Sequence, residues 1–408
     1  MPDGRPARIR IGDCEIDAAA FVLRCGGRVR QVEPQVLELL LYLARNPDRL
    51  ITKDDLIRNV WGGRIVSDAT LASRIRSARQ AVGDDGQQQR LIRTVHGRGV
   101  RLVGDATESP DAAAAVGTAP DGARPEVGFC RTADGVSIAY SVAGSGTPLV
   151  KAAHWLTHLE FDWNSPIWRP LLAEFARDRR LVRYDGRGTG LSDWQVEDIS
   201  FEAFVRDIET VVDALDLERF ALLGISQGCA ASIAYAVRHP ERVSHLILLG
   251  GYAKGWRRRA DVQEIRRREA LLTLIRDGWD TDAIAFRDVF TSLFVPHSDE
   301  EQRRWWTELV RVSSSPANAA RLVEAFGEID VAELLPRVAA PTLVLHSRHE
   351  AVVPFSAGRQ LAIGIPGARF VSLDSRNHIV LAQEPAWRDF IAEIRTFLDG
   401  APASRAEA

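Results

Sequence analysis

The sequence predicts an α/β protein: a mostly parallel, doubly covered sheet interrupted by an all-helical insertion, and preceded by a smaller α+β domain. Three observations predict it. From Val127 onward, short apolar strands alternate with amphipathic helices, the rhythm of a parallel sheet covered on both faces. Residues 8 to 103 instead run through short strands, three helices and a hairpin. Residues 1 to 103 hold 18 Lys and Arg against 12 Asp and Glu, whereas the rest of the chain holds 34 against 43. Between the two lies a small, polar, proline-punctuated stretch that cannot build a core.

The predicted organisation is a basic domain at 1–104, a flexible linker at 105–125 and an α/β domain at 126–400, with a helical lid at about 252–337. A chain of 408 residues with 46% hydrophobic and 26% charged residues is long enough and ordinary enough for this. The start of the chain has no apolar signal-peptide core. No run approaches the roughly 18 apolar residues of a membrane span, so a cytoplasmic protein with no membrane partner is expected. Cys14, Cys25, Cys130 and Cys229 show no CxxC spacing and no paired histidines. They are expected to be reduced thiols, with no metal site, no disulfide scaffold and no cofactor.

In the basic domain, residues 8 to 31 alternate apolar and polar pieces broken at Gly12-Asp13 and Gly26-Gly27, which predicts short antiparallel strands. Pro34 opens a helix with Val36, Leu39, Leu40 and Leu43 on one face. Thr52 and Asp55 have the spacing of a capping box for a second helix carrying Leu56, Ile57 and Val60. The third helix, from about Ser67 to Val82, buries Leu71, Ile75, Ala78 and Val82. At 100° per residue its opposite face presents Ser73, Arg76, Ser77 and Gln80, flanked by Arg74 and Arg79, all donors and no carboxylate. Leu91 to Val103 then reads as a β-hairpin with a basic, glycine-flanked tip.

Three helices and a basic terminal hairpin make a winged helix-turn-helix. The stretch Val32 to Val103, including Ile92-Arg-Thr-Val-His-Gly-Arg-Gly-Val-Arg-Leu102, resembles the DNA-binding domain of OmpR-type regulators, down to a four-strand platform in front of it. The resemblance implies a third helix in the major groove of double-stranded promoter DNA, a wing on the adjacent groove or backbone, and a loop at Trp61 to Val66 where family members can meet RNA polymerase. Ser73, Arg76, Ser77 and Gln80 are suited to base edges, and Arg74, Arg79, Thr94 and Arg98 to phosphates. A homodimer is the expected assembly.

In the α/β domain, strands are predicted at Val127–Cys130, Val136–Val142, Pro148–Ala152, Leu181–Tyr184, Phe220–Gly224, Ser244–Leu249, Thr342–His346 and Ala368–Leu373. Helices follow at Phe201–Leu215 and Pro385–Leu398. The fifth strand runs into Gly224-Ile-Ser226-Gln-Gly228 and then a small-residue helix. A Gly-x-Ser-x-Gly turn between strand and helix presents a serine hydroxyl at a strained, sharp bend. With Asp185-Gly-Arg-Gly-Thr-Gly-Leu-Ser192 after the fourth strand, the region Val127 to Leu398 resembles the α/β-hydrolase fold.

A serine hydroxyl needs a histidine base oriented by a carboxylate, and in this fold the chain order is serine, acid, histidine. Residue-by-residue matching places Glu350, in Ser347-Arg-His-Glu-Ala-Val-Val-Pro354, at the acid position and His378 at the base. The acid is a Glu where Asp is commoner, and His349 stands beside it. Asp185 belongs to a motif that is mainly structural. The resemblance implies an oxyanion hole from the backbone N–H groups of Gln227 and Trp155. Trp305 and Trp306, in the insertion, are candidates for an apolar ligand wall.

Three functions fit these residues. The favoured one is a DNA-binding transcriptional regulator whose hydrolase-like domain binds a small hydrophobic or aromatic ester or lactone effector, with hydrolysis by Ser226, Glu350 and His378 left open. The alternative is an esterase-like serine hydrolase in which the winged helix serves localisation or assembly. The third is an interaction protein with no small ligand.

Overall fold

The computed structural model describes residues 8–400 apart from 18–21, 27, 31, 33, 48, 61–67, 96–97, 104–105, 109–124, 260–261 and 280–283. The chain divides into two compact units, 1–118 and 119–408. In the first unit, β1 (Arg8–Ile11), β2 (Cys14–Asp17), β3 (Val22–Cys25) and β4 (Arg28–Arg30) form an antiparallel meander. Gly12 and Gly26 take positive φ values of 57° and 55° at its turns, which is why strands end at these glycines. The helices are α1 (Pro34–Ala44), α2 (Lys53–Asn59) and α3 (Asp68–Ala81). Val36, Leu39, Leu40 and Leu43 of α1 are all buried against Ile9, Ile11, Ile16 and Leu23 of the sheet. The capping box at α2 is present, with Asp55 N–H donating to Thr52 Oγ1 at 3.1 Å and Thr52 N–H to Asp55 Oδ2 at 3.2 Å. The wing is the hairpin β5 (Ile92–Val95) and β6 (Gly99–Leu102).

Two expectations change here. Residues 106–108 form a further strand, β7 (Ala106–Glu108), antiparallel to β1, so the platform has five strands in the order β4-β3-β2-β1-β7. Residues 106–108, expected as linker, thus belong to the platform; the rest of that stretch, 109–124, lies outside the described residues. Cys14 and Cys25, expected as free thiols, are joined in a disulfide. They stand directly opposite each other on β2 and β3, a cross-strand neighbourhood that sequence spacing alone does not reveal. Among the described residues, no cluster of metal-ligating side chains occurs, and no helix is long and apolar enough to cross a membrane.

The second unit is built on eight strands. The first four are β8 (Glu126–Arg131), β9 (Ser137–Ala143), β10 (Thr147–Lys151) and β11 (Arg179–Tyr184). They are followed by β12 (Phe220–Ile225), β13 (Val243–Leu249), β14 (Thr342–Ser347) and β15 (Arg369–Leu373). All eight strands predicted from the sequence are present. Their spatial order is β15-β14-β13-β12-β10-β11-β9-β8, with β9 antiparallel to both its neighbours, β8 and β11, and every other pair parallel. Helices α4 (Leu159–Trp163) and α5 (Trp168–Ala176) lie between β10 and β11, α6 (Phe201–Ala214) follows β11, and α7 (Gly228–Arg238) follows β12. Between β13 and β14 come α8 (Val262–Gly278), α9 (Ile284–Phe294), α10 (Glu300–Ser313) and α11 (Pro316–Glu328), the helical insertion. After β14, α12 (Phe355–Gly364) and α13 (Ala386–Asp399) complete the unit.

Strand β12 is buried at every position, as its apolar run requires in the middle of a doubly covered sheet. The chain leaves β10 toward β11 on one side and meets β12 on the other. This reversal makes a crevice at the carboxyl ends of β10 and β12, where open α/β sheets bind ligands. The Asp185 motif builds the neighbouring wall. Asp185 Oδ2 accepts from Leu159 N–H and Leu191 N–H at 3.1 and 2.9 Å. The buried Arg187 guanidinium pairs with Asp207 and Asp134, both at 2.7 Å. These residues hold loops and do not face Ser226.

Candidate active site and DNA-reading face

Ser226 sits at the end of β12 with φ 55°, a left-handed conformation that a non-glycine residue holds only when its surroundings enforce it. Two close approaches do so. A Cβ at Gly224 would lie 2.7 Å from Cys229 Cα, and one at Gly228 would lie 2.7 Å from the Ala153 carbonyl oxygen. Ser226 N–H donates to Leu249 O at 2.9 Å, tying the bend to β13. The serine remains half-buried at the tip. Cys229, just below, is fully buried, and burial pushes its thiol well up, so it is not a competing nucleophile.

Glu350 and His378 come from the loops after β14 and β15, and the fold brings them together. His378 Nδ1 lies 2.5 Å from Glu350 Oε2, and Val353 N–H donates to the same oxygen at 3.1 Å. Both side chains are almost completely buried. Burial alone would raise the Glu350 carboxyl; the His378 and His346 imidazoles beside it hold it down at about 2. With Nδ1 facing the carboxylate, His378 carries its proton there and leaves Nε2 as the basic nitrogen. His378 Nε2 is buried, hydrogen-bonded to no atom of the described residues, and on the wall of the same cavity as Ser226.

The second imidazole on Glu350 is His346, not the neighbouring His349. His349 is half exposed and lies 3.7 Å from the solvent-facing Asp374. His346, at the end of β14 and fully buried, places Nε2 3.0 Å from Glu350 Oε1 and 3.1 Å from the Val353 carbonyl. An atom facing two acceptors must carry a proton, so His346 Nε2 is a donor, and its Nδ1 has no partner among the described residues. The N–H is aimed at the carbonyl, and Glu350 Oε1 rests against the positive edge of the ring. Only the spacing of four residues from Glu350, at the end of a buried strand, hinted at this in the sequence.

A cavity lies over Ser226. Its floor includes Gln227 and Trp155, the residues expected to donate to an oxyanion. Gln227 caps α7, whose first N–H groups have no partner within the helix and carry its positive dipole end. The loop of Trp155 is fixed by His154, whose ring stacks on Trp168 at 4.7 Å and whose Nδ1 lies 3.0 Å from the Trp155 carbonyl. Burial holds His154 well below its ordinary range, hence neutral. The Trp155 indole packs 5.4 Å from Phe294 and 5.6 Å from Phe290. The insertion supplies the roof, with Phe290, Leu293 and Phe294 from α9 and Trp306 from α10. Trp305 is placed elsewhere. One residue round α10, it packs on Phe161 at 4.0 Å and is absent from the cavity lining. The roof also grips the base, since His378 N–H donates to the Phe294 carbonyl at 2.8 Å and His297 N–H to Asn377 Oδ1 at 2.9 Å.

On α3, Ser73, Arg76 and Gln80 are exposed and Arg74 and Ser77 half-buried, a polar outer face as expected. Thr94 and Arg98 are exposed on the wing. Arg79 departs from expectation. It is 8% exposed, donating from Nε to Ile92 O at 2.9 Å and from Nη2 to Thr94 Oγ1 at 2.7 Å, so it braces helix against wing and is not presented to a phosphate. Asp84 joins the same seam. Its carboxylate accepts from the backbone N–H of Asp85, Arg90, Leu91 and Ile92, each at 2.9 Å. Burial opposes ionisation there, but the four donors outweigh it and hold Asp84 below its ordinary value. The loop at Trp61 to Val66 lies outside the described residues.

Comparison with known proteins agrees with both units. The family model described as alpha/beta hydrolase fold matches residues 156–385, and that of the C-terminal domain of transcriptional regulatory proteins matches 27–102. A pyrrolizixenacetamide deacetylase from Xenorhabdus hominickii is 26% identical over 264 residues, spanning 64% of this chain and 94% of the relative. A 2-hydroxy-6-oxo-2,4-heptadienoate hydrolase from Pseudomonas putida is 26% identical over 275 residues, or 67% of this chain and 96% of its own. An esterase structure from Exiguobacterium antarcticum shares the fold with a TM-score of 0.56 at 23% identity, over 67% of this chain and 99% of that one.

Proposed function

We propose, from the premise that this chain belongs to the alpha/beta hydrolase fold family and carries an OmpR-type winged-helix DNA-binding domain ahead of that fold, that it is a transcriptional regulator whose hydrolase-fold domain binds and hydrolyses a small apolar or aromatic ester or lactone. The observation that carries the reading is the pairing of a strained, half-buried Ser226 with a buried, unpartnered His378 Nε2 on one apolar cavity. A structural serine and a structural histidine would each have been satisfied elsewhere.

In this reading the Ser226 hydroxyl gives its proton to His378 Nε2 as the oxygen attacks the ester carbonyl, and Glu350 stabilises the imidazolium that results. The carbonyl oxygen, now negative, settles against the N–H groups of Gln227 and Trp155. Protonated His378 then returns its proton to the leaving oxygen, and water repeats the sequence to free the enzyme. The insertion over the cavity acts as a lid. Its bonds to the His378 loop give occupancy of the cavity a direct hold on lid position, which alters domain arrangement or dimerisation and so promoter affinity.

The deciding experiment combines retardation of the native promoter by the full-length protein with turnover of p-nitrophenyl esters, in the wild type and Ser226→Ala. Promoter binding at moderate salt and ester turnover lost in Ser226→Ala are expected. No promoter binding would remove the regulator reading and leave the esterase with an accessory winged helix. Turnover unchanged in Ser226→Ala would remove the assignment of the nucleophile.

A further inference from the structure

The cavity over Ser226 is lined almost wholly by aromatic and aliphatic side chains, with two exceptions that the acyl-transfer mechanism does not use. Arg259 and Arg268 both line it, and among the described residues no Asp or Glu does. An apolar cavity is a poor place for a guanidinium, because a desolvated charge is stable only when paired. The pairing present is shared. Glu264 forms an ion pair with Arg259 and lies 3.9 Å from Arg268 Nε, so one carboxylate stands between two cations.

Both guanidiniums are held in place by further contacts. Arg259 Nη1 donates to the Lys254 carbonyl at 2.9 Å, and its guanidinium carbon lies 5.2 Å from the Tyr252 ring centre. Arg268 Nη2 donates to the Val352 carbonyl, two residues beyond Glu350. The side chains are 14% and 19% exposed. A guanidinium with fixed orientation and spare N–H donors in an apolar cavity is a receptor for a planar oxyanion.

We propose that the ligand of this cavity is an acid: an apolar or aromatic body bearing a carboxylate that seats on Arg268 and Arg259 while its ester or lactone carbonyl meets Ser226. This rests on the reading of the cavity as the effector site and narrows it from neutral esters to anionic ones. The arginines here are specificity residues, since they meet the ligand at a distance from the bond that breaks.

The test uses matched probes on full-length Ser226→Ala, so that binding is read without turnover. 4-Phenylbutyrate and 4-phenylbutanol share an apolar body and differ in charge; both are titrated by tryptophan fluorescence, which Trp155, Trp256 and Trp306 on the cavity wall make responsive. The acid is expected to bind roughly tenfold or more tighter than the alcohol, the factor one charge-assisted bidentate contact supplies. Arg268→Met is expected to erase that preference and leave the alcohol's affinity unchanged. Arg259→Met repeats the test at the second guanidinium should circular dichroism show the first variant unfolded. Equal binding of acid and alcohol, or an equal loss of both in Arg268→Met, overturns the carboxylate proposal while the effector reading stands. Binding of neither probe removes the effector reading, and the proposal with it.

Discussion

Gly250 offers the sharpest test of the site geometry. It follows β13 with φ 59°, and a Cβ there would lie 2.9 Å from His378 Cε1, 3.2 Å from His378 Nδ1 and 3.4 Å from Glu350 Oε1. Gly250→Ala therefore acts twice. The left-handed backbone costs an L-residue about 1–2 kcal/mol. The methyl also pushes the imidazole away from its carboxylate by roughly half an ångström, the gap between 2.9 Å and an ordinary carbon–carbon contact of about 3.5 Å. A shift of that order in a reacting group is expected to slow acyl transfer by about 10- to 100-fold. The assay is the rate at which a fluorophosphonate labels Ser226, followed beside p-nitrophenyl acetate hydrolysis and a thermal melt. The strain term alone predicts a melting temperature lower by a few degrees. Labelling at the wild-type rate in a variant of unchanged stability would refute the assignment of His378 and Glu350 as the base and its acid.

Other outcomes follow from the same contacts. Ser226→Ala should abolish fluorophosphonate labelling and leave promoter retardation intact; residual labelling at another serine would displace Ser226. His346→Leu strips the polar edge from Glu350 Oε1 and the Val353 carbonyl. It should destabilise the protein by about 1–3 kcal/mol in a urea titration, with His346→Gln recovering part of the loss. Equal stability of His346→Leu and wild type would count against the His346–Glu350 contact. Glu350 and Asp84 both have depressed folded-state values, so the stability each contributes is full above its unfolded value of 4.5 or 3.8 and fades as pH falls through the folded one. Melting temperature should therefore drop on acidification below about pH 4.5, and Asp84→Asn should flatten that drop for the N-terminal unit; an unchanged slope would contradict the four-donor cradle. Arg76→Ala should weaken promoter binding without changing stability, whereas Arg79→Ala should lower stability first. The reverse pattern would restore Arg79 to the DNA face.

Much of this was legible in the residues because it was written in local chemistry. The Gly-x-Ser-x-Gly bend, the apolar strand runs and the Thr52–Asp55 box each depend on neighbours within a few positions, and periodicity carries them. What stayed hidden depends on which distant atoms meet. Arg79 lies 80° round α3 from Leu71, on the flank of the stripe, and its long side chain finds the Ile92 carbonyl only once the wing has folded back. Trp305 and Trp306 differ by 100° on one helix, and only the insertion's packing decides which reaches the cavity. His346 belongs to a strand whose burial was expected, but its contact with Glu350 needs the turn at 348–353 to close. The Cys14–Cys25 bond and the strand at 106–108 arise from register, which short strands leave weakly specified until pairing occurs.

The seam between α3 and the wing has a consequence for how the duplex is met. Arg79 and Asp84 together spend five hydrogen bonds on tying the end of α3 and the turn after it to residues 90–94 at the base of the wing. Helix and hairpin then arrive at DNA as a caliper with its jaws already set. Adjustment on contact falls to the nucleic acid, whose groove width and bendability vary with base sequence. If so, base sequence would be read in part through the stiffness of the duplex, including at base pairs that no side chain reaches.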